Sequence, residues 1–112
     1  AGEARIFIWD GVNWVQSAKI NGTTANDILS GVSMSADGLR VVVGSCSSST
    51  VGYVSAYYLN GNTWALKGTI SATESGDYTG CFGSQISDDG NTITVTTYST
   101  NVVKVYEWDD FN

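Results

Sequence analysis

"RIFIWDG" at Arg5–Gly11 returns as "SAYYLNG" at Ser55–Gly61 and again as "KVYEWDD" at Lys104–Asp110. The alignment extends outward from these three stretches. Trp14–Ile20 matches Trp64–Ile70, and Ser33–Gly38 matches Gln85–Gly90 with two residues inserted between. A period of about 50 residues with turn residues at fixed places signals a repeat architecture, and it fixes how every local motif is read.

Each period divides into four short strands. The first, Ile6–Trp9, alternates and is aromatic, and it closes on Asp10-Gly11, a pair that accepts the positive φ of a tight hairpin. The second runs from Trp14 to Ile20, and a polar loop, Asn21–Ser30, follows. The third is Gly31–Ala36, ended by Asp37-Gly38. The fourth is Leu39–Gly44, centred on Val41-Val42-Val43. Apolar residues do not recur at helical spacing, and Val, Ile, Thr, Tyr and Trp favour strands throughout. The expected fold is all-β, with no helix beyond a single turn. Four antiparallel strands per period of about 50 residues are the sequence form of a β-propeller blade. The strand nearest the axis should be buried and small-sided, as Gly31–Ser35 and Gly83–Ser87 are. Trp9, Trp14, Trp64 and Trp108 recur where bulky side chains fill the wedge between blades, so core packing is favoured for them over ligand stacking.

The 112 residues suffice for one small domain. A net charge of −6 with five Lys and Arg argues against nucleic acid, since phosphate binding needs clustered cations. No apolar run approaches the ~20 residues of a membrane-spanning helix, so membrane insertion is not expected. The chain opens without Met or a signal peptide and reads as mature, trimmed or part of something longer. Its two Cys, charge-poor composition and many Ser and Thr point to an extracellular, secreted or cell-surface protein.

Catalytic chemistry finds no support. The chain has no His, so no nucleophile has the usual base. Asp88-Asp89 and Asp109-Asp110 are doublets whose neighbours point to different faces, which fits turns better than a catalytic pair. Glu74 and Asp77 share a loop that can hold a cation weakly at best. "GDYTGCFG" at Gly76–Gly83 has neither the Lys nor the following helix of a phosphate loop. No enzyme activity, cofactor or metal is expected. Asn21-Gly22-Thr23 is an N-glycosylation sequon, available to a glycan if the chain takes a eukaryotic secretory route. The Ser/Thr runs at Ser45–Thr50 and Thr92–Thr100 read as O-glycan carriers or as loop and strand, with strand favoured for the second.

"FGSQISDDGNTITVTT" at Phe82–Thr97 and "VKVYEWDD" at Val103–Asp110 resemble the repeats of extracellular FG-GAP-like β-propellers of the integrin-α type. "LSGVSMSADGLRVVVGS" at Leu29–Ser45 with "VSAYYLNGNTW" at Val54–Trp64 is similar to a second copy, so the resemblance covers nearly the whole chain. It implies blades whose strands run from the axis outward as inner, second, third and outer. Residues 5–20 are then a partial blade, 31–70 a complete one, and 83–109 a partial one lacking its outer strand. Many members of that family carry a calcium loop between the second and third strands. The corresponding loops here, Ser45–Gly52 and Thr96–Val103, hold no carboxylate, and a calcium site is not carried over. In the same register Cys46 ends the second strand of one blade and Cys81 precedes the inner strand of the next, at one end of the propeller. A disulfide between them is expected; two buried free thiols are the alternative.

Two blades do not close a ring. The chain is expected to be either a segment of a longer propeller or a subunit joined to copies of itself through its edges, with Phe7, Trp9, Tyr106 and Trp108 exposed there. The first functional reading is therefore a structural repeat unit that assembles head to tail into a fibre or surface layer. The second is an adhesion module, part of a larger integrin-like propeller, that binds glycan or protein through loop aromatics such as Tyr53, Tyr78 and Tyr98. The ligand-binding residues of that second reading are unknown.

Overall fold

The computed structural model describes residues 2–22, 27–46, 52–71, 78–81, 83–97 and 102–110. Among these the chain forms nine strands in three antiparallel sheets, and the sole helical element is one 3₁₀ turn at Trp108–Asp110. The N-terminal sheet pairs β1 (Glu3–Trp9) with β2 (Trp14–Asn21). The central sheet has the order β3 (Ile28–Met34), β4 (Arg40–Cys46), β5 (Gly52–Asn60), β6 (Thr63–Ser71). The C-terminal sheet has the order β7 (Ser84–Ile86), β8 (Thr92–Thr96), β9 (Val103–Glu107). None of the three closes into a barrel.

The turns show why the strands stop where they do. Ser35 Oγ donates to Asp37 Oδ1 at 2.7 Å, Asp37 Oδ1 accepts from the Leu39 amide at 3.0 Å, and the Arg40 amide donates to Ser35 Oγ at 3.1 Å. Ser87, Asp89, Asn91 and Thr92 repeat the arrangement at 2.6, 3.0 and 3.0 Å. Gly38 and Gly90 complete the two turns at φ of 74° and 77°, a left-handed conformation that suits glycine. A third carboxylate, Asp10, closes the β1–β2 hairpin by accepting from the Val12 and Asn13 amides. Each turn thus satisfies its own backbone, and the strands on either side leave in fixed register.

Register sorts every strand into two faces. On the leading face, Ala4, Ile6, Ala18 and Ile20 of the N-terminal sheet correspond through the repeat to Val54, Ala56, Gly68 and Ile70 of the central one. On the trailing face of the central sheet lie Val41, Val43, Tyr57 and Trp64. The leading face of the N-terminal sheet packs on this trailing face in one apolar cluster. The leading face of the central sheet, through Val42, Val54, Ala56 and Ile70, packs on Ile86, Ile93, Val95 and Trp108 of the C-terminal sheet in a second. The same interlock is used twice. A bulge between Ile6 and Phe7 recurs between Ala56 and Tyr57, so both outer hairpins bend alike.

Several expectations need correction. Of the two strands expected to be buried nearest the axis, β7 buries Ser84 and Ile86, but β3 leaves Val32 and Met34 exposed, because the two-stranded N-terminal sheet does not extend over it. The buried strand is β4, whose interior Val41–Ser45 is covered on both faces. Residues 28–30 belong to β3 rather than to a loop, and Asn21 is the last residue of β2.

Candidate functional site

The central sheet is packed on both faces apart from β3, where Val32 and Met34 stay exposed, while each flanking sheet is covered on one. In β8, Ile93 and Val95 are fully buried on the trailing side, whereas Thr92, Thr94 and Thr96 are only partly covered on the leading side. Val103 and Val105, beside those threonines on β9, are both 62% exposed. On β1 the pattern is the converse. Ile6 is buried on the leading side, while Phe7 and Trp9, on the trailing side, are 47% and 52% exposed. Trp14 pairs with Trp9 across the hairpin, their rings tilted and 5.4 Å apart. Two open apolar faces therefore lie at opposite ends of the stack.

Trp108 does not share this exposure. Expected at an open edge beside Tyr106, it is 7% exposed and belongs to the core between the central and C-terminal sheets, with Tyr106 partly buried next to it. The Tyr58 ring meets it edge-on at 6.4 Å, and the Arg40 guanidinium covers it at 4.3 Å from the ring centroid. The Arg40 Nη1 group also donates to the Gly90 carbonyl at 2.8 Å and to Asn91 Oδ1 at 2.9 Å. Trp64 packs against the first core, and its Nε1 donates to Ser17 Oγ at 3.3 Å. Of the four tryptophans read as core, Trp108 is core and Trp64 is partly buried against the first cluster; Trp9 and Trp14 are on the surface because their face meets no other sheet.

Cys46 and Cys81 form a disulfide, with Cα atoms 4.6 Å apart and a sequence separation of 35. It ties the end of β4 to the Tyr78–Cys81 turn, which lies over the central sheet. Gly44 and Gly52 make room for that turn: a Cβ at either would collide with the carbonyl of Gly80 or Thr79. Nothing in the Gly pattern of the sequence distinguishes these two from turn glycines.

Of the residues of the binding reading, Tyr53 and Tyr78 are described, and the turn after Tyr78 packs on the Tyr53 backbone. Tyr53 donates to Asp27 Oδ2 at 2.7 Å, and the crevice beside it has a free volume of about 10 Å³, room for about one water and no ligand. Tyr78 lies in the turn before the disulfide, at φ 50°. Tyr98, Glu74, Asp77, Thr23 and residues 47–50 lie outside the described residues. Asn21 is exposed, opposite Glu3. The Asp88-Asp89 doublet divides its work: Asp89 holds its own turn, while the Asp88 carbonyl accepts from the Ala36 amide of the neighbouring turn at 2.9 Å.

No protein-family model, no curated protein and no solved structure matches this chain. Among the described residues no helix is long and apolar enough to cross a membrane.

Proposed function

We infer that the chain is a non-enzymatic, extracellular structural repeat unit that joins head to tail with copies of itself or with covalently adjacent repeats into a propeller-based fibre or surface layer. The observation that carries this reading is the contrast between the sheets. The central sheet is packed on both sides through β4, β5 and β6, and each flanking sheet keeps one apolar face open. Open faces with large aromatic and branched side chains mark interaction surfaces. The FG-GAP-like pattern supports reading the four-stranded sheet as one blade. The disulfide supports an oxidising, extracellular setting. In that setting Asn21, exposed at a strand end, is the residue offered to N-glycosylation. Sedimentation velocity of the 112-residue chain from about 1 to 100 μM tests the reading. Mass growing with concentration is expected; a folded monomer throughout that range would remove it.

A further inference from the structure

The repeat says which surfaces should meet. Phe7 and Trp9 occupy, on the N-terminal sheet, the places of Tyr57 and Leu59 on the central sheet and of Tyr106 and Trp108 on the C-terminal one. At both of the later places the trailing face is packed against the leading face of the sheet before it. Val103 and Val105, in turn, occupy the places of Val54 and Ala56, and of Ala4 and Ile6. At both of those places the leading face is packed against the sheet that follows. The two faces left open are thus the two halves of an interlock that the chain already makes twice.

We propose that the Phe7–Trp9–Trp14 face of one copy stacks on the Val103–Val105–Thr94 face of another, reproducing the internal sheet-to-sheet packing between molecules. This rests on the self-assembly reading and names its mating surfaces. The occupant is a second copy because the template is internal: each open face fits what its counterparts within the chain fit. The contact is heterologous, so it propagates in one direction. Stacking by faces needs no strand to be displaced or completed. That removes the difficulty that both flanking sheets carry a strand of the same type, β1 and β9, so that neither can simply complete the other. The joint is lighter than the internal ones, since Thr92, Thr94 and Thr96 stand where the central sheet has Arg40, Val42 and Gly44. It is a reversible contact whose strength comes mostly from the aromatic side.

The test uses the whole chain and two blocked forms, Trp9→Glu and Val105→Glu, followed by sedimentation velocity. Both sites are exposed, so folding should survive; a cooperative thermal transition by circular dichroism checks this, and Phe7→Glu and Val103→Glu replace any variant that fails it. Each blocked form should need at least about tenfold more protein than wild type to associate. Mixed in equal amounts, they should give a species of twice the monomer mass and nothing larger, because each retains the face that the other lost. Leu66→Glu, an exposed apolar site on the central sheet, adds the same charge and should associate like wild type. If wild type associates but the blocked forms associate equally well, the face assignment is overturned while self-assembly stands. Loss of association in Leu66→Glu, or large species in the mixture, overturns it too. A wild type that stays monomeric removes both the assignment and the reading beneath it.

Discussion

Arg40 on the central sheet covers the Trp108 ring of the C-terminal sheet, its guanidinium 4.3 Å from the ring centroid, while the same group holds the Gly90 carbonyl and Asn91. One side chain therefore fastens two sheets by stacking, by charge and by hydrogen bonds. A flat guanidinium can cover the ring while its Nη1 donates two hydrogen bonds, which a compact ammonium matches less well. Arg40→Lys should lose about 1 kcal/mol of stability and Arg40→Ala about 2–3 kcal/mol, the latter because the stem no longer covers the ring. Urea denaturation measures both; equal stabilities for Arg40→Lys and wild type would refute the stacking role of the guanidinium.

Trp108→Ala and Trp9→Ala alter the same position of the repeat with unequal consequence. Emptying the buried site should cost about 3–5 kcal/mol. Removing the exposed ring should change the stability of the monomer by less than about 1 kcal/mol. Comparable losses at the two sites would contradict the burial difference.

These two tryptophans also mark what the sequence discloses. Turn chemistry is local, so Ser35-Ala36-Asp37-Gly38 and Ser87-Asp88-Asp89-Gly90 announce their geometry, and the strands between them follow. Burial is not local. Trp9 and Trp108 stand in near-identical contexts, and the neighbouring sheet alone decides that one is covered. The same reasoning explains β3: Val32 and Met34 have the composition of a buried strand, yet what lies over them depends on another part of the chain. Arg40 carried no signal, since a lone Arg before Val-Val-Val reads as a solvated strand end. The cysteine pair is legible through the blade register that the FG-GAP-like resemblance implies, with free thiols left open, whereas the glycine floor under the Tyr78–Cys81 turn is not, because close approach between distant backbones leaves no mark on either segment.

Reduction of Cys46–Cys81, or the double substitution to Ser, should lower stability by about 3–4 kcal/mol, the loop-closure entropy for a bridge spanning 35 residues. Guanidinium titrations with and without reductant supply the comparison. An unchanged midpoint would mean that the unfolded chain is not constrained by the bridge.

Gly52→Ala should destabilise the chain by about 2–3 kcal/mol or more, since the new methyl group meets the Thr79 carbonyl and a backbone atom has little freedom to yield. Gly31→Ala is the control: its Cβ would meet no atom within 4 Å. It should be neutral, or stabilising by about 0.4–1 kcal/mol through the unfolded state. Equal effects of the two substitutions in thermal melts would count against the close approach.

Acid should loosen the turns. The Ser35 hydroxyl, then the Leu39 amide, hold the Asp37 carboxyl below its ordinary value of 3.8; the Ser87 hydroxyl and the Asn91 amide do the same for Asp89, and the Asn13 and Val12 amides for Asp10. A depressed folded pKa means that the stabilisation is present above 3.8 and is lost as pH falls through the lower folded values. Stability should be flat from pH 7 to about 5 as far as these groups act, and should fall below about pH 4. Asp37→Asn should flatten part of that fall. Carboxyl titration by NMR that placed all three groups at or above 3.8 would overturn the assignment.

The placement of the disulfide has a mechanical consequence. A chain drawn by its two ends carries tension from β4 through the Cys46–Cys81 bond directly to the C-terminal sheet, so the β5–β6 hairpin between them bears no load. Thirty-five residues are withheld from extension, about 120 Å of contour at ~3.4 Å each. In a fibre of such units, stretching would draw on β1 to β4 and on the C-terminal sheet while the β5–β6 hairpin stayed outside the line of force, giving the material a limit of elongation that reducing conditions would extend.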